Sequence, residues 1–156
     1  MNIRNLIMLL PLSIALGGCG FMGGKDAAEK RANECLDDRI KNGGIGKNAF
    51  YSPEFWKVTT KDKWAQMTNL VAKANGDLTS YSLNTWNLKT QAHTNKLSGM
   101  FVTLVFDTTY KTGSGQETFI MHRSKKKDDF TILSHNINTP EIYQLIQEGI
   151  KEAAKP

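Results

Sequence analysis

From residue 26 onward the apolar positions follow two regimes, helical spacing first and alternation later. Ala28, Ala32, Cys35, Leu36 and Ile40 recur at helical spacing, with Glu29, Lys30, Arg31, Asp37 and Asp38 mostly elsewhere. This predicts an amphipathic helix over 26–41, stopped by Asn42-Gly43-Gly44. Residues 45–60 have no period except at Ser52-Pro53-Glu54-Phe55-Trp56, where a serine N-cap and a proline at the first helical position predict one helical turn. A second helix is expected over 61–74, capped by Thr60 and ended by Asn75-Gly76, with Trp64, Met67, Leu70, Val71 and Ala74 as its apolar stripe.

Alternation then takes over. The stretch 78–92 is long and rich in Ser, Thr and Asn; Tyr81, Leu83 and Thr85 would face one way, Trp86 and Leu88 the other. That change of parity predicts a bend or bulge midway. The strongest strand covers 101–110, with Val102, Leu104 and Phe106 on one face and Phe101, Thr103, Val105 and Asp107 on the other. Over 116–124, Phe119 and Met121 oppose Ile120 and His122; over 130–138, Phe130 and Ile132 oppose Thr131 and Leu133. The turns at 111–115 and 125–129 are short enough to demand an antiparallel meander. Thr139 as cap, Pro140 and Glu141 then open a closing amphipathic helix with Ile142, Leu145, Ile146, Ile150 and Ala153 on one face. The expected fold is α+β: helices packed on one face of a curved antiparallel sheet of about four strands, forming a single domain over 26–156.

The 156 residues suit one domain plus a delivery segment. Arg4, the apolar run Leu6 to Leu16 and the small residues Gly17 and Gly18 have the layout of a secretory signal over 1–18, too short to span a bilayer. Residues 19–25, containing the run GFMGG, read as a Gly-rich tether. Without Arg4, 19 basic side chains face 15 acidic ones. This mild excess suits anionic surfaces such as lipid head groups, and nucleic acid is not an expected partner of an exported chain. Lys125-Lys126-Lys127 is followed at once by Asp128 and Asp129, as in a solvated turn.

Leu16-Gly17-Gly18-Cys19 resembles a bacterial lipobox. The resemblance implies diacylation of the Cys19 thiol, cleavage before it and acylation of the new amino terminus, a multiple anchor that binds membranes stably. It also implies sorting: Phe21 is not the aspartate associated with inner-membrane retention, so the expected location is the outer membrane, facing the periplasm. Lipidation of Cys19 would leave Cys35 without a partner in its own chain, as a buried thiol, an intermolecular disulfide or a reactive site, with burial the default.

Little in the chain points to catalysis. A turn centred near Lys127 would pair His122 with Ile132 and His135 with Phe119, putting the two rings on opposite faces, and no metal or cofactor is expected. Ser134 and His135 are adjacent in a strand and point apart. Asp107 is the most interesting carboxylate: near Glu117 across a turn, it is a candidate general base, although bonding to the Thr108, Thr109 or Thr118 hydroxyls is the favoured reading. KTGSG at 111–115 joins two strands and opens no helix, so it is no phosphate loop.

Residues 52–138 resemble a bacterial family of exported proteins, domain of unknown function 4019. The resemblance is carried by Ser52-Pro53, Phe55, Trp64, Phe106-Asp107-Thr108-Thr109-Tyr110 and Glu117-Thr118, with departures at Phe130 and Ser134-His135. More loosely, the chain is similar to the cystatin-like or nuclear-transport-factor-2-like cone. Neither supplies an activity. The expected role is a lipid-anchored, non-enzymatic binding or scaffold module with an envelope protein as possible partner, its oligomeric state left open. It would use the sheet's open face and Tyr81, Trp86 and Tyr110. The alternative is a small-ligand carrier or enzyme with a pocket reaching Asp107 and walled by Trp56 and Trp64.

Overall fold

The computed structural model describes residues 19–92, 97–125, 129–144 and 147, and the side chains from residue 23 onward within them. The expected signal segment 1–18, the centre of the 125–129 turn and most of the closing helix's apolar face lie outside the described residues. The helices are α1 (Cys19–Asn42), α2 (Phe55–Val58) and α3 (Lys61–Asn75), with a 3₁₀ turn at Asn48–Phe50. The strands β1 (Leu78–Gln91), β2 (Gly99–Tyr110), β3 (Ser114–Arg123) and β4 (Thr131–Asn138) form one antiparallel sheet in the order β1-β2-β3-β4. This is the α+β fold the pattern predicts, with helices on one face of a curved sheet. No helix among the described residues is long and apolar enough to cross a membrane.

Helix α1 is longer than its periodicity suggests. It already includes Cys19, so residues 19–25 are helical rather than a linker of separate structure. Gly24 is buried where the helix meets β1 and β2, and a Cβ there would collide with Met100 and touch Leu88. Ala28, Ala32, Cys35 and Leu36 are fully buried against the sheet. The stripe then continues through Arg39, not through Ile40, which is turned to the surface.

Ser52 and Thr60 act as anticipated. Ser52 Oγ accepts from Phe55 N–H at 3.1 Å, and Thr60 Oγ1 accepts from Lys63 N–H at 3.2 Å. On α3 the core takes Trp64, Thr68, Val71 and Asn75, while Leu70 is 50% exposed and leaves the expected stripe. Thr139 caps the next helical turn, accepting from Ile142 N–H at 3.3 Å.

Besides a register shift between Leu78 and Ser80 at the start of β1, which keeps Leu78 in the core, two bulges decide which side chains share the core. The first falls between Leu83 and Thr85, as the parity change predicts, and its effect is to bring Trp86 and Leu88 onto the same face as Tyr81 and Leu83. Their partners on β2 confirm it: Leu83 and Trp86 pair with the buried Phe106 and Leu104. The second lies in β4, where Ile120 pairs with Ser134 but Met121 with Ile132, leaving Leu133 extra. Phe130, Ile132, His135 and Ile137 therefore all reach the core. The bulge also corrects one expected pairing, since His122 lies opposite Thr131 instead of Ile132, while His135 lies opposite Phe119 as expected.

Candidate functional site

The most unusual feature of the interior is a polar centre in an otherwise apolar core. Glu117 follows the parity of Phe119 and Met121, so its side chain points under the helices and is wholly buried. Arg39 reaches it from α1, its Nη1 donating to Glu117 Oε2 and its Nε donating to Gly44 O at 3.2 Å. His135 Nε2 stands 2.7 Å from the same carboxylate oxygen, and Tyr110 donates its hydroxyl to Glu117 Oε1 at 2.6 Å. Three elements, α1, β3 and β4, thus close on one carboxylate, joined by the end of β2.

Burial by itself would raise the Glu117 pKa, but the Arg39 charge and then the His135 and Tyr110 hydrogen bonds outweigh it. Its carboxyl is held well below the usual carboxylate range. Burial opposes the Arg39 charge too, and the adjacent carboxylate more than compensates, keeping the guanidinium protonated. Burial pushes His135 below its ordinary 6.5, against the pull of Glu117, so the ring is neutral at pH 7.

A carboxylate only accepts, so neutral His135 carries its proton on Nε2 and leaves Nδ1 bare. Nδ1 faces Tyr51 Oη at 3.1 Å. That hydroxyl accepts from Trp64 Nε1–H at 3.2 Å and has one proton for two acceptors, His135 Nδ1 and Ile45 O at 2.9 Å. Cys35 Sγ lies 3.8 Å from the same oxygen, in a setting where burial pushes the thiol up to about 12. Rings pack around the chain of bonds: His135 is stacked 4.0 Å from Phe119 and tilted 5.0 Å from Trp64.

Carboxylate, imidazole and hydroxyl in that order have the connectivity of a proton relay, sealed inside the core. The His135 and Glu117 side chains have no exposed surface. The cavity against Arg39 and Tyr110 is about 20 Å³, room for one water. The centre ties α1, β2 and β4 to Glu117 of β3. Among the described residues no three His, Cys, Asp or Glu side chains converge as metal ligands.

The sequence-derived candidates are dispersed around this centre. Asp107 is corrected most clearly: it lies exposed on the sheet's outer face, and its carboxylate accepts from Asn84 at 2.6 Å and Gln116 at 2.8 Å, not from threonines. These two amides hold its pKa below the ordinary value, the opposite of a general base. Asp107 lines neither the groove beside β4 nor the small cavity against Arg39 and Tyr110. Tyr81 and Tyr110 belong to the helix-covered face instead of the open one. Tyr81 donates to Asp37 of α1 at 2.7 Å, and Tyr110 is buried on Glu117. Trp86 is on that same face near its border, 38% exposed. Trp56 is half-buried, its ring 5.2 Å from Tyr51 and 4.9 Å from Phe55. The lipidation candidate Cys19 is the first described residue of α1.

Trp64 has a second role. It lines an open groove of about 570 Å³ between α2, α3 and β4, with Phe55, Val58, Lys63, Met67, Leu133, Ser134 and His135. Val58 projects at its lip, 82% exposed. Glu117 and Arg39 were legible in principle, each in phase with its element's core stripe, but His135 is hidden by the bulge and Tyr51 by an aperiodic segment.

Fold and site define an α+β domain with a curved sheet, a sealed ionic centre and an apolar surface groove. No family model, no curated protein and no solved structure matches the chain.

Proposed function

We propose that this chain is a lipid-anchored protein of the cell envelope, held through Cys19 in the outer membrane and facing the periplasm, that works as a non-enzymatic binding module. The anchor reading rests on Leu16-Gly17-Gly18-Cys19 behind an apolar run. The observation that carries the non-enzymatic reading is the burial of the Glu117–His135–Tyr51 chain, beside a groove that is open and largely apolar. Likeness to domain of unknown function 4019 belongs to the same proposal. Its residues Ser52, Phe55, Trp64, Tyr110 and Glu117 serve here as cap, core and ionic centre.

Intact-mass analysis of the membrane-extracted protein beside Cys19→Ala tests the anchor. The expected mass begins at Cys19 with acyl chains added, and the variant loses them. A soluble, unacylated product overturns the anchor. A second reading, a carrier of one small apolar ligand, is favoured by the groove's volume, which lies within the usual range of ligand sites. Saturable palmitate binding, abolished by Val58→Glu, would support it.

A further inference from the structure

We infer that the anchored chain rests on its membrane through one end of the sheet, where Lys89, Leu97, Arg123 and Lys125 meet the anionic head groups of the leaflet that holds Cys19. The inference rests on the lipid-anchor reading and adds to it the protein surface that touches the bilayer.

The path of α1 decides where the anchor lies. Gly24 is buried against Leu88 and Met100, near the end of β1 and the start of β2. Further along the helix, Tyr81 donates to Asp37 at 2.7 Å, and Arg39 reaches Glu117 near the start of β3. Helix α1 therefore runs along β1 in the opposite direction. Its first turns lie at the end of the sheet where Gln91 pairs with Gly99 and Met100 with Arg123.

Two lengths then set the level of the anchor. At 1.5 Å per residue, Cys19 stands about 7.5 Å beyond Gly24. At roughly 3.3 Å per residue, Gln91 stands about 10 Å beyond Leu88. Acylated residue and sheet end are level to within a few ångströms. Because α1 is helical from Cys19 and packed on the sheet from Gly24, the anchor fixes the orientation of the domain as well as its address.

The side chains at this end suit a head-group surface. Lys89 and Lys125 are exposed, and Arg123, level with Met100, lays its guanidinium 4.8 Å from the centroid of the Phe130 ring. None of these three cations enters an ion pair among the described residues. Asp129 is an exposed acid beside them, and Lys25 is committed to Asp26 and Glu29. Leu97, 38% exposed, adds an apolar contact at the same end. Long cationic side chains bury their stems against the acyl boundary while the charges stay with the lipid phosphates. At the opposite end Lys111 is paired with Asp77 at 2.6 Å, and Arg39 is sealed on Glu117.

The test uses the full acylated chain, its mass confirmed, in vesicles of phosphatidylethanolamine and phosphatidylglycerol that carry a nitroxide head-group lipid. A fluorophore is attached at Thr90→Cys or at Ser80→Cys, two exposed positions about 30 Å apart along β1. Cys35 is buried and stays unlabelled. The label at Thr90→Cys is expected to be quenched several-fold more than the label at Ser80→Cys. Adding Lys89→Glu and Lys125→Glu is expected to at least halve the quenching at Thr90→Cys. Equal or reversed quenching of the two positions, or quenching indifferent to the charge reversal, overturns the resting surface and leaves the anchor standing. A chain that carries no acyl groups overturns the anchor and the inference with it.

Discussion

At the scale of single residues, Glu117 has the greatest leverage, because Arg39, His135 and Tyr110 all end on it. Glu117→Gln keeps its shape and leaves Arg39 buried without a counter-charge, which costs about 3–5 kcal/mol for a broken buried pair. Urea titration at pH 7 measures it. The acid dependence follows from the same groups. Glu117 is depressed in the fold, so its contribution is present above its ordinary 4.5 and is lost as pH falls below that value. His135 is depressed below 6.5, so the unfolded chain binds a proton that the native chain refuses, and stability already declines as pH falls through 6.5. In His135→Asn the first decline is expected to disappear and the second to remain, as a series of urea titrations from neutral to acid pH will read out. Cys35, buried with its thiol pushed up to about 12, is expected to resist a disulfide reagent at pH 8 in the native protein and to react at once in urea. Rapid native labelling would mean that α1 opens.

At the scale of elements, caps and close approaches set the limits. Thr60→Ala removes the side-chain acceptor at the start of α3 and is expected to lower stability by about 1 kcal/mol. Gly99 is a different case. It opens β2 at φ 138°, a conformation side chains rarely adopt, and a Cβ there would collide with the Arg123 carbonyl oxygen. Gly99→Ala is expected to exceed the Thr60→Ala loss in the same thermal or urea measurement, since the backbone itself must move. The strands' alternation was legible because neighbouring residues report it directly. Phase was not. The β1 bulge shows in the sequence as a parity change between Leu83 and Trp86, whereas in β4 the chain passes from Ile132 to His135 with no local mark of the extra residue.

At the scale of the molecule, the ionic centre couples parts that are distant in sequence. Arg39 and Glu117 are 78 residues apart, and Tyr51 and His135 are 84 apart. Trp64 reports on this junction through its bond to Tyr51, so its fluorescence and the far-ultraviolet signal of the helices are expected to share one unfolding transition. Separate midpoints would show that α3 detaches before the sheet melts.

The local pattern by itself determined four strands, two long helices, their caps and the α+β class, because periodicity and capping depend on residues only a few places apart. Tertiary structure decided the rest. It put Asp107 outside and Glu117 inside, joined Arg39, His135 and Tyr51 around that carboxylate, and opened a groove beside β4. The physical reason is that burial of a charge depends on what arrives opposite it. Here an arginine from α1 and a histidine re-aimed by a bulge meet it only once the chain has folded.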